Sequence, residues 1–570
     1  MLPLLASAAF AGLLTSQAYA SPVVVPGLDG INALDGLNLG DFTSGVKRSL
    51  PISGLDSLTE VSDVLKKLSV DSTPSATLSS KPNRRQEVDL NILPTFNASP
   101  VDLSSLVKSL DTNPVKKRTP LGVSLEQGLI PLIPGVTEPL TTGASIPLPV
   151  LQLPLPPLES GPFNVSNIRP KKIGYFWTGA GDNQHKDFLV TTSLDDDTFG
   201  EIIHITDVPT SGNSPHHLSP SLDGKTLAGG GLLSLLKTQD TAFYFDTTDP
   251  YKPVFKKSNR GILGSITDEI RAKPDGGFFI TYMGSAVGTS PGRLIETDAN
   301  FDIIHEWPED VAGTLNILEK QFSPHGLSID FANNVMLTSD FVIPLSILKP
   351  TTGIQRADTL RLWDLKTRTI ISTITIPNGG GIQDVKFIPG NKESAALATA
   401  VVPGEVWIIY PFRHDSSGKQ GVAEKLISLG EKAQNSVAIY SDISDDGRFA
   451  YFTLTLGNHV AAVDISDLNH PIRLDDPNEN QPIIGPHYVK ISPDKKNLLV
   501  TGYFVQAGDI SVLNTPGDYK GHWIDILPDG GLSFNRTIDF EDIFTSSRGG
   551  ARPHSSVIFD LSDPDRPVYY

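Results

Sequence analysis

A period of about 56 residues, running through the last 400 positions, constrains this chain more than any other feature. Four Pro-His pairs precede similar β-prone runs: Pro215-His216, Pro324-His325, Pro486-His487 and Pro553-His554. Seven residues beyond two of these histidines stand Asp223 and Asp494. The same offset carried back from the turns at Asp275, Gly390 and Asp446 marks Asp268, Gln383 and Ile439. The seven phase positions are therefore 216, 268, 325, 383, 439, 487 and 554, at intervals of 48 to 67 residues. Four short strands with their turns fill that length, which is one propeller blade. Seven phases predict a seven-bladed β-propeller over 161–570. The last phase leaves too few residues for a blade, and 165–215 hold strands without a phase. The N- and C-terminal segments are therefore expected to close the ring in one sheet, which removes its edges.

Local patterns agree with an all-β fold. Runs such as Asp187-Phe-Leu-Val-Thr-Thr192, Gly277-Phe-Phe-Ile-Thr-Tyr282 and Phe449-Ala-Tyr-Phe-Thr-Leu454 alternate with Gly/Asp turns, and no long window holds a helical period. Asp246-Thr-Thr-Asp249, Asp464-Ile-Ser-Asp467 and Asp560-Leu-Ser-Asp563 read as one Asx-type turn reused between blades. Gly229-Gly-Gly231 reads as a turn or bulge between strands. Trp363-Asp364 is the one Trp-Asp pair, too few for a WD40 protein.

Composition narrows the function. With 46 Lys+Arg against 64 Asp+Glu the net charge is −18, and no basic face exists for nucleic acid to neutralise. The absence of Cys excludes disulfides, Fe–S clusters, thiolate ligands and cysteine nucleophiles. Leu2 to Ala18 is apolar and Ala18-Tyr-Ala20 is a signal-peptidase signature, so 1–20 is expected to be a signal peptide and the protein to be secreted. No later run is long and apolar enough to span a bilayer. The sequons at Asn97, Asn164 and Asn535 fit a glycoprotein. Residues 21–160 are Pro/Leu/Ser-rich and of low complexity, with basic pairs at Lys47-Arg48, Arg84-Arg85 and Lys116-Lys117-Arg118. They read as a propeptide or linker.

Equivalent residues of the innermost strands form a ring about a propeller axis. In order the ring reads His216, Asp268, His325, Gln383, Ile439, His487, His554. Four imidazoles at one level can converge on one metal, a demand that ordinary structural histidines do not meet. His216, His325, His487 and His554 are therefore the expected metal ligands, and imidazole donors suit copper, iron, zinc or nickel. Asp268 is the expected catalytic residue, orienting a bound water or relaying a proton, with Gln383 beside it. In an extended strand His217 faces away from the ring. Asp340, Asp384 and Asp442 read as structural. No Gly-x-Ser-x-Gly, P-loop, Gly-x-Gly-x-x-Gly or His-Glu-x-x-His motif is present.

From about Lys171 to Pro567 the chain resembles the selenium-binding protein/methanethiol oxidase family. The likeness rests on Asp187-Phe-Leu-Val-Thr-Thr with Ile202-Ile-His204, Pro215-His-His217, Asn334-Val-Met336, Leu362-Trp-Asp-Leu365, Asp446-Gly-Arg-Phe449, Asp464-Ile-Ser-Asp467 and Ala551-Arg-Pro-His554. The resemblance implies a seven-bladed propeller and, in the family's enzymatic members, a copper-dependent oxidase that turns methanethiol and O2 into formaldehyde, sulfide and peroxide. The chain departs from the family pattern at Thr267-Asp-Glu-Ile-Arg271, where a Pro-His-x-x-His stretch is usual, and at Thr455-Leu-Gly457, where Trp-Leu-His is usual. His325 and His487 stand where other residues are usual, and the family's cysteines, to which selenium binding is ascribed, are absent. The expected function is a secreted metal-dependent oxidase with copper favoured and iron as alternative, acting with O2 on a small substrate. The rival is a non-catalytic propeller that binds a protein or glycan at a rim such as the apolar 341–348.

Overall fold

The computed structural model describes residues 156–570, except 235–238, 287, 309–320, 345, 347–353, 506–514, 516, 564–566 and 570. The signal peptide, nearly all of the Pro/Leu/Ser-rich region, its basic pairs and Asn97 lie outside the described residues.

Seven antiparallel sheets form a seven-bladed β-propeller. Blades 1 to 6 each take four consecutive strands from the axis outwards, beginning with Pro215–Pro220, Gly264–Ala272, Pro324–Asp330, Ile382–Phe387, Ile439–Ile443 and Val489–Ile491. Blade 7 joins both ends of the propeller. Its inner strand is Arg552–Asp560, followed outwards by Lys172–Gly179, Phe188–Ser193 and Ile202–Asp207, while Val568–Tyr569 pairs with the end of the inner strand. Six phase residues sit on innermost strands, and His487 lies just before Val489–Ile491.

Each blade is buried on both faces because alternate side chains of a strand point to opposite neighbours. Tyr175 and Trp177 of blade 7 pack on Leu227, Phe243 and Phe245 of blade 1. Phe176, between them in sequence, packs on Leu499 and Trp523 of blade 6. Tyr244 of blade 1 turns the other way, onto Phe278 and Tyr282 of blade 2. Gly229-Gly-Gly231 is the end of the strand Thr226–Gly231, not a turn. A Cβ on Gly229 would stand 3.0 Å from the Trp177 indole nitrogen, which donates to Gly230 O at 2.7 Å. The glycines therefore make room for the largest side chain between blades 7 and 1. The reused turns are Asx turns as expected: Asp246, Asp464 and Asp560 each accept the backbone N–H two residues on at 2.9 Å.

Candidate metal centre

The inner strands carry irregularities at the phase positions. Two residues of the inner strand face one of its neighbour at His216-His217, Asp268-Glu269, His325-Gly326 and Gln383-Asp384, and His554 is an extra residue in its pairing. Such β-bulges re-aim side chains and leave a backbone group unpaired. In blades 2, 3 and 4 the facing residue has a hydroxyl that repairs the loss. Thr281 Oγ1 accepts from Glu269 N at 2.9 Å and donates to His325 O of the next blade at 2.6 Å. Ser339 links Gly326 N to Gln383 O at 3.1 and 3.0 Å, and Thr399 links Asp384 N to Ile439 O at 3.0 and 2.8 Å. Thr453 donates to His487 O and Thr501 to His554 O, while Ser555 donates to His216 O. A relay of hydroxyls from blade to blade thus sets the height of the phase residues.

Five imidazoles converge, all at most 1% exposed. His216, His217, His487 and His554 form one group of potential ligands whose donor atoms lie within 4.8 Å of one another. His216 and His554 ring centroids are 3.9 Å apart, and His487 stands 4.7 Å from His554. His325 falls in a second group of the same tightness with Asp268 and His216. Three of the four expected ligands therefore meet at one point with His217, while His325 stands with the carboxylate. His217 does not face away from the ring. The bulge turns it to the same side, where it stacks on His216 at 4.7 Å and 10°. A bulge of this kind leaves no mark that strict strand alternation reveals.

The nitrogens are held ready for a ligand. His554 Nδ1–H donates to Phe504 O at 2.6 Å, which leaves Nε2 as the lone-pair nitrogen. His554 Nε2, His487 Nε2, His325 Nδ1, His216 Nδ1 and both nitrogens of His217 are buried without a hydrogen-bond partner, as are both oxygens of Asp268. Burial pushes His216 down to about 3 and His325 to about 4, and holds His487 and His554 well below the usual imidazole range. All four are neutral donors at neutral pH. Burial raises Asp268 to about 6. Neutral imidazoles with one carboxylate and no thiolate fit a borderline transition metal such as copper, iron or zinc.

Phe504 and Phe341 wall the cluster, 4.3 Å from the His487 ring and 5.1 Å from the His325 ring. Of the expected apolar rim, Phe341, Val342 and Ile343 are buried and offer no free surface, while 345, 347 and 348 lie outside the described residues. On the other side Tyr440 and Tyr488 stack at 4.9 Å, with His217 5.0 and 5.1 Å from their rings. Tyr440 donates to Glu269 Oε2 at 2.8 Å. Burial alone would raise Glu269, but Arg271 at 2.5 Å, with His217 and Lys386, holds it below the carboxylate range. Gln383 spends its Oε1 on Ile439 N. Asp340, Asp384 and Asp442 accept backbone N–H groups of Ser323, Ser441 and Ile491, the structural roles expected of them.

Comparison with known proteins gives one family. The profile of the 56 kDa selenium binding protein family (SBP56) matches residues 160–555. The crystal structure of a hypothetical selenium-binding protein from Sulfolobus tokodaii is similar, with 18% identity, a TM-score of 0.52, and 68% of this chain and 94% of that chain covered. The periplasmic gluconolactonase of Pseudomonas aeruginosa shares 12% identity at a TM-score of 0.47, over 65% of this chain and 96% of that one. The first of these likenesses shows the fold alone. No curated protein matches the sequence.

Proposed function

The chain belongs to the 56 kDa selenium binding protein family, and from that membership and the axial histidines we propose that it is a metal-dependent oxidase. The observation that carries the proposal is the meeting of His216, His217, His487 and His554, all buried, each with at least one ring nitrogen that has no hydrogen-bond partner. Copper is the favoured ion and iron the alternative. When bound, the metal supplies Lewis acidity and electron exchange with O2. The protein's own residues do the rest. Phe504 O fixes the tautomer of His554. Phe341 and Phe504 keep bulk water from the imidazoles. While it holds no ion of its own, the Asp268 carboxylate, raised by burial to about 6, can take or return a proton near neutral pH. A site this enclosed admits a small substrate. The family resemblance points to a thiol such as methanethiol, which with O2 and water gives formaldehyde, hydrogen sulfide and hydrogen peroxide. O2 uptake and peroxide release with short alkane thiols test the reading. The protein should turn over, and His554→Ala should abolish turnover while its circular dichroism is kept. No turnover by metal-loaded protein with any short thiol contradicts the substrate class.

One feature favours the second reading, a non-catalytic propeller that binds a protein or glycan. A cleft of about 650 Å3 is lined by Trp523, Asp525, Asn535, Arg536, Lys496 and Phe449. If that cleft is the working surface, the protein carries no stoichiometric metal and binding responds to Lys496 and Arg536 instead. We further propose that 1–20 directs export, that 21–160 is trimmed at its basic pairs, and that exposed Asn164 and Asn535 accept glycans. Mass analysis of the mature chain, with and without glycosidase, tests all three. Among the described residues no helix is long and apolar enough to cross a membrane.

A further inference from the structure

The axis holds more donors than one ion takes. A tetrahedral ion uses four ligands, whereas five imidazoles and a carboxylate are gathered here. They fall into two groups that share His216 alone. That imidazole has two ring nitrogens, and so can serve either group.

The excess is concentrated at Asp268. Its carboxylate is 0% exposed and neither oxygen has a hydrogen-bond partner. Three imidazole nitrogens stand around it: His325 Nδ1 at 3.3 Å, His217 Nδ1 at 3.4 Å and His216 Nε2 at 3.5 Å. Charge-assisted N–H···O bonds measure about 2.7–2.9 Å, so these separations are too long for them. Two ligands bound tetrahedrally at about 2.0–2.1 Å from one ion stand about 3.3–3.4 Å apart. The spacing is that of groups sharing an ion rather than a proton. A carboxylate buried without a donor is unfavourable, and a cation among these nitrogens offsets that cost.

We propose that Asp268 and His325, with His216 completing the set, hold a second divalent transition-metal ion beside the one held through His217, His487 and His554. This rests on the reading that the histidine cluster binds metal at all. A carboxylate ligand gives the second seat a harder donor set than its all-imidazole neighbour, so the two positions differ in metal preference.

The test titrates metal-free protein with Zn2+ alone, counting bound ions by native mass spectrometry. Two ions per chain are expected in the parent, falling to one in Asp268→Asn and in His325→Gln, and to one in His487→Gln. A parent that binds one ion, or an Asp268→Asn variant that still binds two, overturns the second seat and leaves the first standing. No bound ion at all overturns both, which separates the two failures. Electron paramagnetic resonance of the parent loaded with Cu2+ needs no variant. Two ions this close couple and give a half-field transition, whereas two equivalents of uncoupled copper overturn the proposal.

Discussion

Thr281→Val separates the role of the hydroxyl relay in folding from its role at the site. Valine keeps the shape of threonine and removes one oxygen. That oxygen accepts Glu269 N–H at 2.9 Å and donates to His325 O at 2.6 Å, both fully inside the protein. Two buried backbone groups lose their partner, each costing about 1–3 kcal/mol, so the variant loses about 2–6 kcal/mol. Thr399→Val is the control. It strips Asp384 N–H and Ile439 O of partners at 3.0 and 2.8 Å, the same chemistry at the seam of blades 4 and 5, where the phase residue Ile439 has no donor atom for a metal. Chemical denaturation of the metal-free proteins should show similar losses for both. Chelator competition should show metal affinity lowered tenfold to a hundredfold in Thr281→Val alone, the usual effect of removing a group that orients a ligand. Thr281→Ser should restore most of both. Equal weakening of metal binding by the two valines would refute the relay as a positioning device, and no stability loss in either would refute the relay itself.

Other consequences follow from the same geometry. His217→Ala should lower metal affinity at least as much as His325→Ala, measured by chelator competition, since the bulge sets His217 against His216. Gly229→Val should destabilise the seam between blades 7 and 1, because the new side chain meets the Trp177 indole at 3.0 Å; a loss of about 1–3 kcal/mol in denaturant unfolding is expected. Metal-free protein should lose stability as the pH falls below 6.5. His216 and His325, held in the fold at about 3 and about 4, stay neutral while the unfolded chain takes up protons, at about 1.4 kcal/mol per group and pH unit. Asp268, raised to about 6, returns a similar amount between about pH 6 and 3.8, and Asp268→Asn should therefore steepen the decline seen in thermal scans.

The architecture was legible because a blade repeat is a one-dimensional signal. Pro-His pairs and Asp turns fall in register whatever packs around them, and the lone phase near the C-terminus revealed how the ring closes. The site was legible only to the level of the ring. His216, His487 and His554 meet as their phase requires, but strand alternation placed His217 on the wrong side because a bulge breaks the period of two. Asp268 was recognised by its phase, while its closeness to His325 depends on the curvature that brings blades 2 and 3 together. The hydroxyl relay has only a faint sequence signal: Thr281, Ser339, Thr399, Thr453 and Thr501 follow their phases by 13 to 16 residues. A lone Ser or Thr in a strand carries no meaning until its partner across the seam is known. Phe504 O, which fixes His554, is a backbone atom and leaves no trace in residue type.

The central claim is that the axial histidines hold a transition metal. Diffraction from crystals of the protein as purified, recorded on both sides of the copper and iron absorption edges, tests it most directly. The account predicts an anomalous peak on the axis within about 2.0–2.1 Å of the ring nitrogens of His217, His487 and His554. Density among those rings with no anomalous signal at any transition-metal edge, or a peak found only away from the axial histidines, would contradict it.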